Sequence, residues 1–283
     1  MNPWLETVGV ALIAGLGVVL GGVSGRLRRP YWALGYVVSL SLIALLVLGR
    51  CNASLHFVWP YSWIVATRAR FVAMALGITL GLSTPLSRLP RRWERVGMWL
   101  LMGMLVLRFS VLPFLLPALL GNRLAGLQTT MDGDGVCLQT TAYTCGPAAA
   151  VTALQRLGLL ASEGEIAVLS RTSPVVGTLP ACLSKALRDR YASEGLVCAY
   201  RHFDTVSDLN TSDITLAVVR DAFLLDHCVA VLAVTDETVT VADPYTGIRS
   251  MPCEQFEAIW RSTGVVLSRD VRRHNRGSHE LNL

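Results

Sequence analysis

Long apolar runs with few charged residues fill the first 120 positions of the chain. Four of them approach the ~20 consecutive apolar residues that an α-helix needs to cross a bilayer. They cover residues 8–23, 31–49, 71–86 and 96–120. The N-terminal stretch MNPWLE has no basic residue, which is typical of a retained anchor and not of a cleaved signal peptide. The pattern therefore predicts four membrane spans.

The hydrophobic pattern changes after residue 120. The segment GNRLAGLQTTMDGDG is typical of a loop that leads into a folded domain. Helix-like periodicity covers residues 145–157, 163–170, 179–190 and 253–261, and strand-like runs cover 196–201, 214–219, 227–235, 238–242 and 265–268. Helices followed by consecutive strands indicate an α+β domain with an antiparallel sheet.

We therefore predict an α-helical transmembrane bundle of about four spans followed by a C-terminal α+β domain. The predicted boundaries are 1–123 for the transmembrane domain, 124–135 for a linker, 136–270 for the folded domain and 271–283 for a polar tail. The hydrophobic content of 52% and the mean hydropathy of +0.48 exceed what a soluble globule needs, which agrees with a membrane-embedded half.

Positive charge is concentrated in the apolar half. Residues 1–123 carry 12 arginines against Glu6 and Glu94, whereas residues 124–283 carry 18 acidic and 13 basic side chains. Because the arginines flank apolar runs, they indicate contact with membrane lipid and not a nucleic-acid surface. We expect no nucleic-acid partner.

The arginines also predict an orientation. Seven lie between spans one and two or between spans three and four, namely Arg26, Arg28, Arg29, Arg88, Arg91, Arg92 and Arg95. Four lie on the opposite side, namely Arg50, Arg68, Arg70 and Arg123. Since loops richer in arginine stay in the cytoplasm, we expect an integral protein of the bacterial inner membrane whose C-terminal domain lies on the extracytoplasmic, periplasmic side.

Arg108 interrupts the fourth apolar run near its middle. A charge at this depth opposes insertion and usually faces a polar partner, which leaves open a polar site inside the bundle. We favour the alternative that the span ends near Arg108, and that the following residues, with Pro113 and Pro117, form a bent segment at the surface.

The stretch TCGPAAAVTALQRL predicts a helix that begins at or just after Cys145, with Thr144 as its N-cap and Pro147 in its first turn. The Cys145 sulfur would then lie at a helix N-terminus, where the partial positive charge favours the thiolate. The thiolate is the form that attacks a carbonyl in cysteine catalysis. Cys145 is therefore a candidate nucleophile.

Three further residues complete a candidate catalytic group. His227 begins one apolar strand and Asp243 ends the next, so a hairpin would bring imidazole and carboxylate to the same end of the sheet. Gln139, six residues before Cys145, can place its amide beside the cysteine N–H to form an oxyanion hole. Each residue alone also fits a structural role, such as a core thiol or a turn opening, but their spacing together favours catalysis.

These residues resemble the papain-like bacteriocin-processing endopeptidases, cysteine peptidase family 39. The resemblance covers about residues 130–268 and includes the PCEQFEAIW stretch, which resembles that family's late helix. It implies a papain-like fold with Cys145 as nucleophile, His227 as base, Asp243 as orienting residue and Gln139 as oxyanion donor. It also implies cleavage after small residues, commonly at a Gly-Gly leader junction.

Two features differ from that family. The residue after the histidine, often aromatic in the family, is Cys228. Familiar members are fused to a peptide-exporting ATPase, whereas this sequence has no G-x-x-x-x-G-K-[ST] phosphate loop. We therefore expect a peptide or protein substrate, a separate export or translocation complex as partner, and no ATP. The cysteine spacing has no zinc pattern, and we expect no cofactor and no metal.

The residues leave three functions open. The leading hypothesis is a thiol endopeptidase that works through an acyl-enzyme. A transpeptidase or acyltransferase with the same triad would accept an amine in place of water. A non-catalytic peptide-binding module serving a separate transporter would not need Cys145. The other cysteines of the C-terminal half are compatible with one or two disulfides or with free thiols.

Overall fold

The computed structural model describes residues 3–28, 30–209, 213–222 and 225–270. Arg29 and the predicted polar tail at 271–283 lie outside the described residues. The chain divides into two compact units, Met1–Leu119 and Leu120–Leu283.

The first unit is helical. Its helices are α1 (Pro3–Arg26), α2 (Ala33–Cys51), α3 (Tyr61–Val65), α4 (Ala69–Ser83), α5 (Arg92–Val106) and α6 (Leu112–Leu119). A π-helical turn, Leu107–Val111, joins α5 to α6. In the described part of the chain, four helical stretches are long and apolar enough to cross a membrane, namely Trp4–Arg26, Ala33–Cys51, Ala69–Arg88 and Arg92–Leu119. The prediction of four long apolar helices is confirmed.

The fourth apolar helix continues past Arg108 to Leu119, so the chain does not break where we expected the span to end. Pro113 has no N–H that could donate to the carbonyl four residues before it. Next to it, the Leu112 N–H donates to the Leu107 carbonyl five residues back, which is the hydrogen bond of a π-helical turn. The wider turn keeps the chain helical past the proline. The Arg108 side chain is exposed and stacks over the ring of Phe109, 5.5 Å from its centroid, so it forms no polar site among the described helices.

Helices α1 and α4 approach closely because small residues line their contact. A Cβ atom added at Gly21 would lie 2.7 Å from the Leu80 carbonyl oxygen, whereas one added at Gly22 would meet open space. The buried hydroxyl of Thr79 donates to the Ala75 carbonyl one turn back, at 2.7 Å. Small residues that let two backbones approach are typical of packing between membrane helices.

Arg68 links three helices of the first unit. Its Nη1 atom lies 2.8 Å from a carboxylate oxygen of Glu6 in α1, and its Nη2 donates to the Pro113 carbonyl of α6 at 3.2 Å. Pro117 lacks the N–H that would otherwise bond to that carbonyl within the helix. The arginine therefore satisfies a carbonyl that the second proline leaves without a helical partner.

The described residues of the second unit form five α-helices and an antiparallel sheet. Its helices are α7 (Gly121–Ala125), α8 (Cys145–Arg156), α9 (Glu163–Leu169), α10 (Pro180–Tyr191) and α11 (Cys253–Ile259). Its strands are β1 (Thr130–Met131), β2 (Cys137–Leu138), β3 (Leu196–His202), β4 (Ile214–Ala222), β5 (Leu225–Val234), β6 (Thr238–Asp243), β7 (Gly247–Pro252) and β8 (Trp260–Arg269). Strands β1 and β2 form a separate pair, and the six-stranded sheet has the order β3-β8-β4-β5-β6-β7.

The predicted α+β class with an antiparallel sheet is confirmed, but three of the eight described strands were missed, namely the short β1–β2 pair and β7. Strand β7 pairs with β6 at the edge of the sheet, and only Gly247 and Met251 of its residues are buried. An edge strand with so few buried residues has only a weak hydrophobic pattern.

The sheet is buried on both faces. One core cluster joins α8 to the sheet through Ala149 and Leu154, and it includes Ala230 of β5. The other cluster joins Phe256 of α11 to Val229 of β5. Because successive strand residues point to opposite faces, β5 contributes to both cores and lies firmly fixed between them. Helix α8 and strand β5 therefore hold the residues at their ends in fixed positions.

Candidate active site

Cys145 is the first residue of α8, as the sequence predicts. The following alanines are buried, which explains why this helix consists of small residues where it packs on the sheet. Thr144 occupies the N-cap position, but its side chain does not cap the helix. Its hydroxyl instead accepts the Thr141 N–H and lies 3.1 Å from the Thr141 carbonyl oxygen, so it stabilises the loop before the helix.

His227 and Asp243 lie together at the open end of the β5–β6 hairpin. The register pairs Ala230 with Ala242, which brings the start of β5 beside the end of β6. His227 Nε2 lies 2.8 Å from Asp243 Oδ1, and both side chains are buried. The same carboxylate oxygen accepts the Tyr245 N–H at 2.9 Å. Because Nε2 is occupied by the carboxylate, Nδ1 is the ring nitrogen left for another partner.

The electrostatics of the site favour a protonated imidazole. Burial opposes the charge on His227, but hydrogen bonds with Asp243 and Cys145, and the negative charges of both groups, raise its pKa to about 9. Burial acts to raise the pKa of Asp243, but hydrogen bonds from His227 and the Tyr245 N–H, with the nearby positive charges, hold it below its usual value. The imidazole is thus held between a thiol and a carboxylate.

Gln139 lies in the loop between β2 and α8 and is hydrogen-bonded to the turn that follows Asp243. Its main-chain N–H donates to the Pro244 carbonyl at 3.0 Å, next to Asp243. Its side-chain Nε2 donates to the Thr141 carbonyl at 2.6 Å, which uses one of the two amide hydrogens. Its Oε1 atom is buried and has no hydrogen-bond partner within the described residues. The structure thus brings all four predicted site residues to one region of the second unit.

Tyr245 and Arg249 also contact the site, and sequence reasoning missed both. The Tyr245 ring stacks on the His227 ring with centroids 4.6 Å apart and an interplanar angle of 16°. Arg249 Nη1 lies 3.5 Å from the second carboxylate oxygen of Asp243. The only sequence signal was their closeness to the Asp-Pro turn, which does not reveal that the tyrosine ring covers the imidazole.

Cys228 is partly buried and packs against the core beside the site. Burial, and to a lesser extent nearby Cys145, raise the pKa of the Cys228 thiol well above its usual value, which keeps it protonated. All seven cysteines of the chain are free thiols in this structure. Within the described residues, no group of three or more His, Cys, Asp or Glu side chains is arranged to hold a metal ion.

Two cavities adjoin these residues. One, of about 520 Å³, is lined by Leu138, Gln139 and Thr140 and by residues 126–128 and 130. The other, of about 100 Å³, is lined by His227 and Asp243, by apolar residues on the α11 face of the sheet, and by the polar side chains of Arg220, Asp221, Arg249 and Gln255. A thiol at a helix N-terminus, an imidazole between thiol and carboxylate, and a nearby amide are suited to nucleophilic acyl transfer.

Comparisons with known proteins place the second unit in a family. Residues 135–272 match the model of the peptidase C39 family. An uncharacterized protein of Methanothermobacter thermautotrophicus is 28% identical over 147 residues, which is 50% of this chain and 94% of that protein. An uncharacterized protein of Methanothermobacter marburgensis is 30% identical over 139 residues, which is 49% of this chain and 92% of that protein.

A solved structure is also similar. The peptidase domain of Streptococcus ComA, a bifunctional ABC transporter involved in a quorum-sensing pathway, aligns with a TM-score of 0.41 and 19% sequence identity. The alignment covers 47% of this chain and 96% of that domain.

Proposed function

The C-terminal domain of this chain belongs to the peptidase C39 family, and we propose that the protein is a membrane-anchored cysteine endopeptidase acting on peptide or protein substrates. The observation that supports this most directly is the imidazole of His227, whose Nε2 lies 2.8 Å from Asp243 Oδ1 and whose pKa is raised by Asp243 and by Cys145. The family resemblance further supports cleavage after small residues, such as a Gly-Gly leader junction.

In the proposed mechanism, the Cys145 thiolate attacks the peptide carbonyl and its sulfur forms a bond to the carbonyl carbon. The Gln139 amide and the Cys145 N–H donate to the resulting oxyanion. Protonated His227 then gives its proton to the leaving amine, and the thioester remains on Cys145. His227, now neutral, takes a proton from water, which attacks the thioester and releases the acyl product.

Asp243 has an orienting role in this mechanism. Its carboxylate holds Nε2 and stabilises the imidazolium, and Nδ1 is left to exchange a proton with the sulfur. The Tyr245 N–H fixes the carboxylate in turn. The acid therefore stays ionised while the imidazole gains and loses its proton.

We propose that the four long apolar helices anchor this domain in the bacterial inner membrane with the peptidase on the periplasmic side. The distribution of arginines between the loops supports this orientation. A domain there would process peptides during or after their transport by a separate export complex. A membrane-impermeant maleimide applied to intact spheroplasts tests this: labelling at Cys145 supports the orientation, whereas labelling only after lysis contradicts it.

The enzymatic proposal is tested with the full-length protein purified in detergent. The protein is incubated with a peptidyl electrophile ending in Gly-Gly, and the adduct is measured by intact mass and located by peptide mapping. We expect an adduct at Cys145 in the wild type, none in Cys145→Ala and a much slower reaction in His227→Ala.

The products then identify the reaction. Peptides containing an internal Gly-Gly should yield fragments with the mass of hydrolysis, and fragments extended by an added amine would indicate acyl transfer. A folded, reduced wild-type protein that forms no adduct and cleaves no peptide would contradict the proposed function.

A further inference from the structure

A carboxylate outside the catalytic group is buried against the loop that carries Gln139. Glu163, the first residue of α9, is 0% exposed. One of its oxygens accepts the Thr140 N–H at 2.9 Å, and the other accepts the Thr140 hydroxyl at 2.6 Å. A carboxylate this deeply buried is costly unless hydrogen bonds compensate it, so both contacts are needed to keep Glu163 in place.

The contact with Thr140 acts directly on the backbone of Gln139. The Thr140 N–H belongs to the peptide plane that joins residues 139 and 140, so its bond to Glu163 fixes the orientation of that plane. On the other side, the Gln139 N–H is held by the Pro244 carbonyl at 3.0 Å. The main chain on both sides of Gln139 is therefore fixed, and this determines where its amide projects.

Glu163 is itself anchored by the segment before the site. Its main-chain N–H donates to the Thr129 hydroxyl at 2.9 Å. A Cβ atom added at the next residue, Gly164, would lie 2.7 Å from the Leu124 carbonyl oxygen of α7, so α9 packs tightly on α7. The carboxylate is thus fixed to the body of the domain and can position the loop.

We propose that Glu163 is a positioning residue for the oxyanion donor Gln139, acting through Thr140. This inference rests on the proposed acyl-enzyme mechanism. Loss of the carboxylate would let the 139–140 peptide rotate and would weaken the bond of the Gln139 amide to the oxyanion. The thiolate and imidazole make no contact with Glu163 in this scheme, so the reactivity of Cys145 toward simple alkylating agents should not change.

The inference predicts a specific pattern of kinetics in the full-length protein. Gln139→Ala should lower kcat by about 100-fold, as removal of one oxyanion donor does elsewhere. Glu163→Ala should lower kcat by about 10-fold with a smaller change in KM, because the contact strengthens only in the transition state. In the Gln139→Ala background, Glu163→Ala should change kcat by less than about 2-fold, since residues that act as a unit are not additive.

Glu163→Gln is the conservative rescue. Its amide oxygen can still accept the Thr140 N–H, and its NH₂ can donate to the Thr140 hydroxyl. That hydroxyl lies 3.1 Å from the Gln128 carbonyl and can donate there instead. We therefore expect kcat close to that of the wild type. Glu165 lies on α9 with Glu163 and forms a partly exposed ion pair with Arg190 of α10, so Glu165→Ala is the matched control and should have no effect on kcat.

A second measurement separates oxyanion positioning from folding and from the proposed reaction itself. A peptide aldehyde ending in glycinal forms a hemithioacetal with Cys145, in which the sulfur bonds to the aldehyde carbon and the thiol proton moves to the oxygen. Because this oxygen takes the place of the oxyanion, the affinity of the aldehyde reports on the oxyanion hole. Iodoacetamide alkylates the same sulfur without using that hole. Glu163→Ala should weaken aldehyde binding about 10-fold and leave the alkylation rate at Cys145 within about 2-fold of wild type.

The outcomes distinguish the two proposals. If Glu163→Ala and Gln139→Ala have multiplicative effects on aldehyde affinity, or if Glu163→Gln is as impaired as Glu163→Ala, the positioning role is refuted while the peptidase stands. If Glu163→Ala fails to fold, Thr140→Val, which removes the hydroxyl contacts with Glu163 and the Gln128 carbonyl but keeps the N–H bond to Glu163, must show the same non-additivity with Gln139→Ala. A wild-type protein that binds no aldehyde and is not alkylated at Cys145 refutes the catalytic proposal and the positioning role with it.

Discussion

His227 Nε2 lies 2.8 Å from Asp243 Oδ1, although sixteen residues separate the two along the chain. Antiparallel pairing of β5 with β6 brings them together at the end of the hairpin opposite to its turn. The carboxylate oxygen that binds the imidazole also accepts the Tyr245 N–H. This shared oxygen orients the histidine and holds its charge, and the reactivity of Cys145 should depend on it.

Replacement of Asp243 by asparagine tests the charge separately from the shape. The amide oxygen can still accept a hydrogen bond from Nε2, but the negative charge that helps raise the pKa of His227 is lost. We expect the pKa of His227 to fall and kcat/KM to drop about 100-fold, within the range for a general acid or base. Rates of peptide cleavage between pH 5 and 10 measure both changes.

Arg249→Gln is the control for that substitution, because Arg249 contacts the other carboxylate oxygen at 3.5 Å and is half exposed. It should alter kcat/KM much less than Asp243→Asn. Equal effects of the two substitutions would contradict an orienting role for the carboxylate.

The pH profile of the wild-type enzyme should have its alkaline limb near pH 9. His227 must carry a proton to protonate the leaving amine, and its pKa is about 9 instead of the usual 6.5. Activity that depends on the imidazolium is therefore retained above pH 6.5 and lost as the pH rises through about 9. Single-turnover acylation with a peptide ester and a peptide amide checks this, since the amide, with its poorer leaving group, should show the loss more strongly. An alkaline limb near pH 6.5 would contradict the claim that His227 stays protonated up to about pH 9.

We expect Tyr245 to support catalysis through the stacking of its ring on His227. The ring stacks on the imidazole at 4.6 Å, and its main-chain N–H bonds to Asp243 whatever the side chain. Tyr245→Ala should lower kcat/KM about 2- to 10-fold, the effect of one aromatic contact. Tyr245→Phe retains the ring and should behave like the wild type. A phenylalanine variant as slow as the alanine variant would assign the effect to the hydroxyl instead.

Alanine substitutions at the two adjacent glycines of α1 should have sharply different effects on stability. Gly21→Ala places a methyl group against the Leu80 carbonyl and Ser83 of α4, and overpacking of this kind costs about 1–3 kcal/mol. Gly22→Ala faces open space and should be neutral or stabilise the helix by up to about 1 kcal/mol. Thermal unfolding of the two full-length variants in the same detergent compares them directly, and equal melting temperatures would contradict the α1–α4 packing.

The sequence by itself determined the features that arise from local patterns. Four apolar runs of bilayer length predict four long helices, and alanines after a Thr-Cys-Gly-Pro stretch predict a helix that begins at Cys145. One strand-like run begins at His227 and the next ends at Asp243, which places imidazole and carboxylate at one end of a sheet once the strands pair in sequence. These inferences succeed because helix and strand periodicity, and hairpin pairing, depend on neighbours along the chain.

Only the tertiary structure decided what depends on residues distant along the chain. The π-helical turn carries the fourth helix past Arg108, which the charge and prolines alone did not reveal. Thr144 bonds to the loop instead of capping α8, because Thr141 folds back beside it. Glu163 resembles a surface residue at the start of a helix, yet it is buried because the segment around Thr129 and the loop around Thr140 close over it. Burial and long-range hydrogen bonds are properties of the folded chain, so no local pattern encodes them.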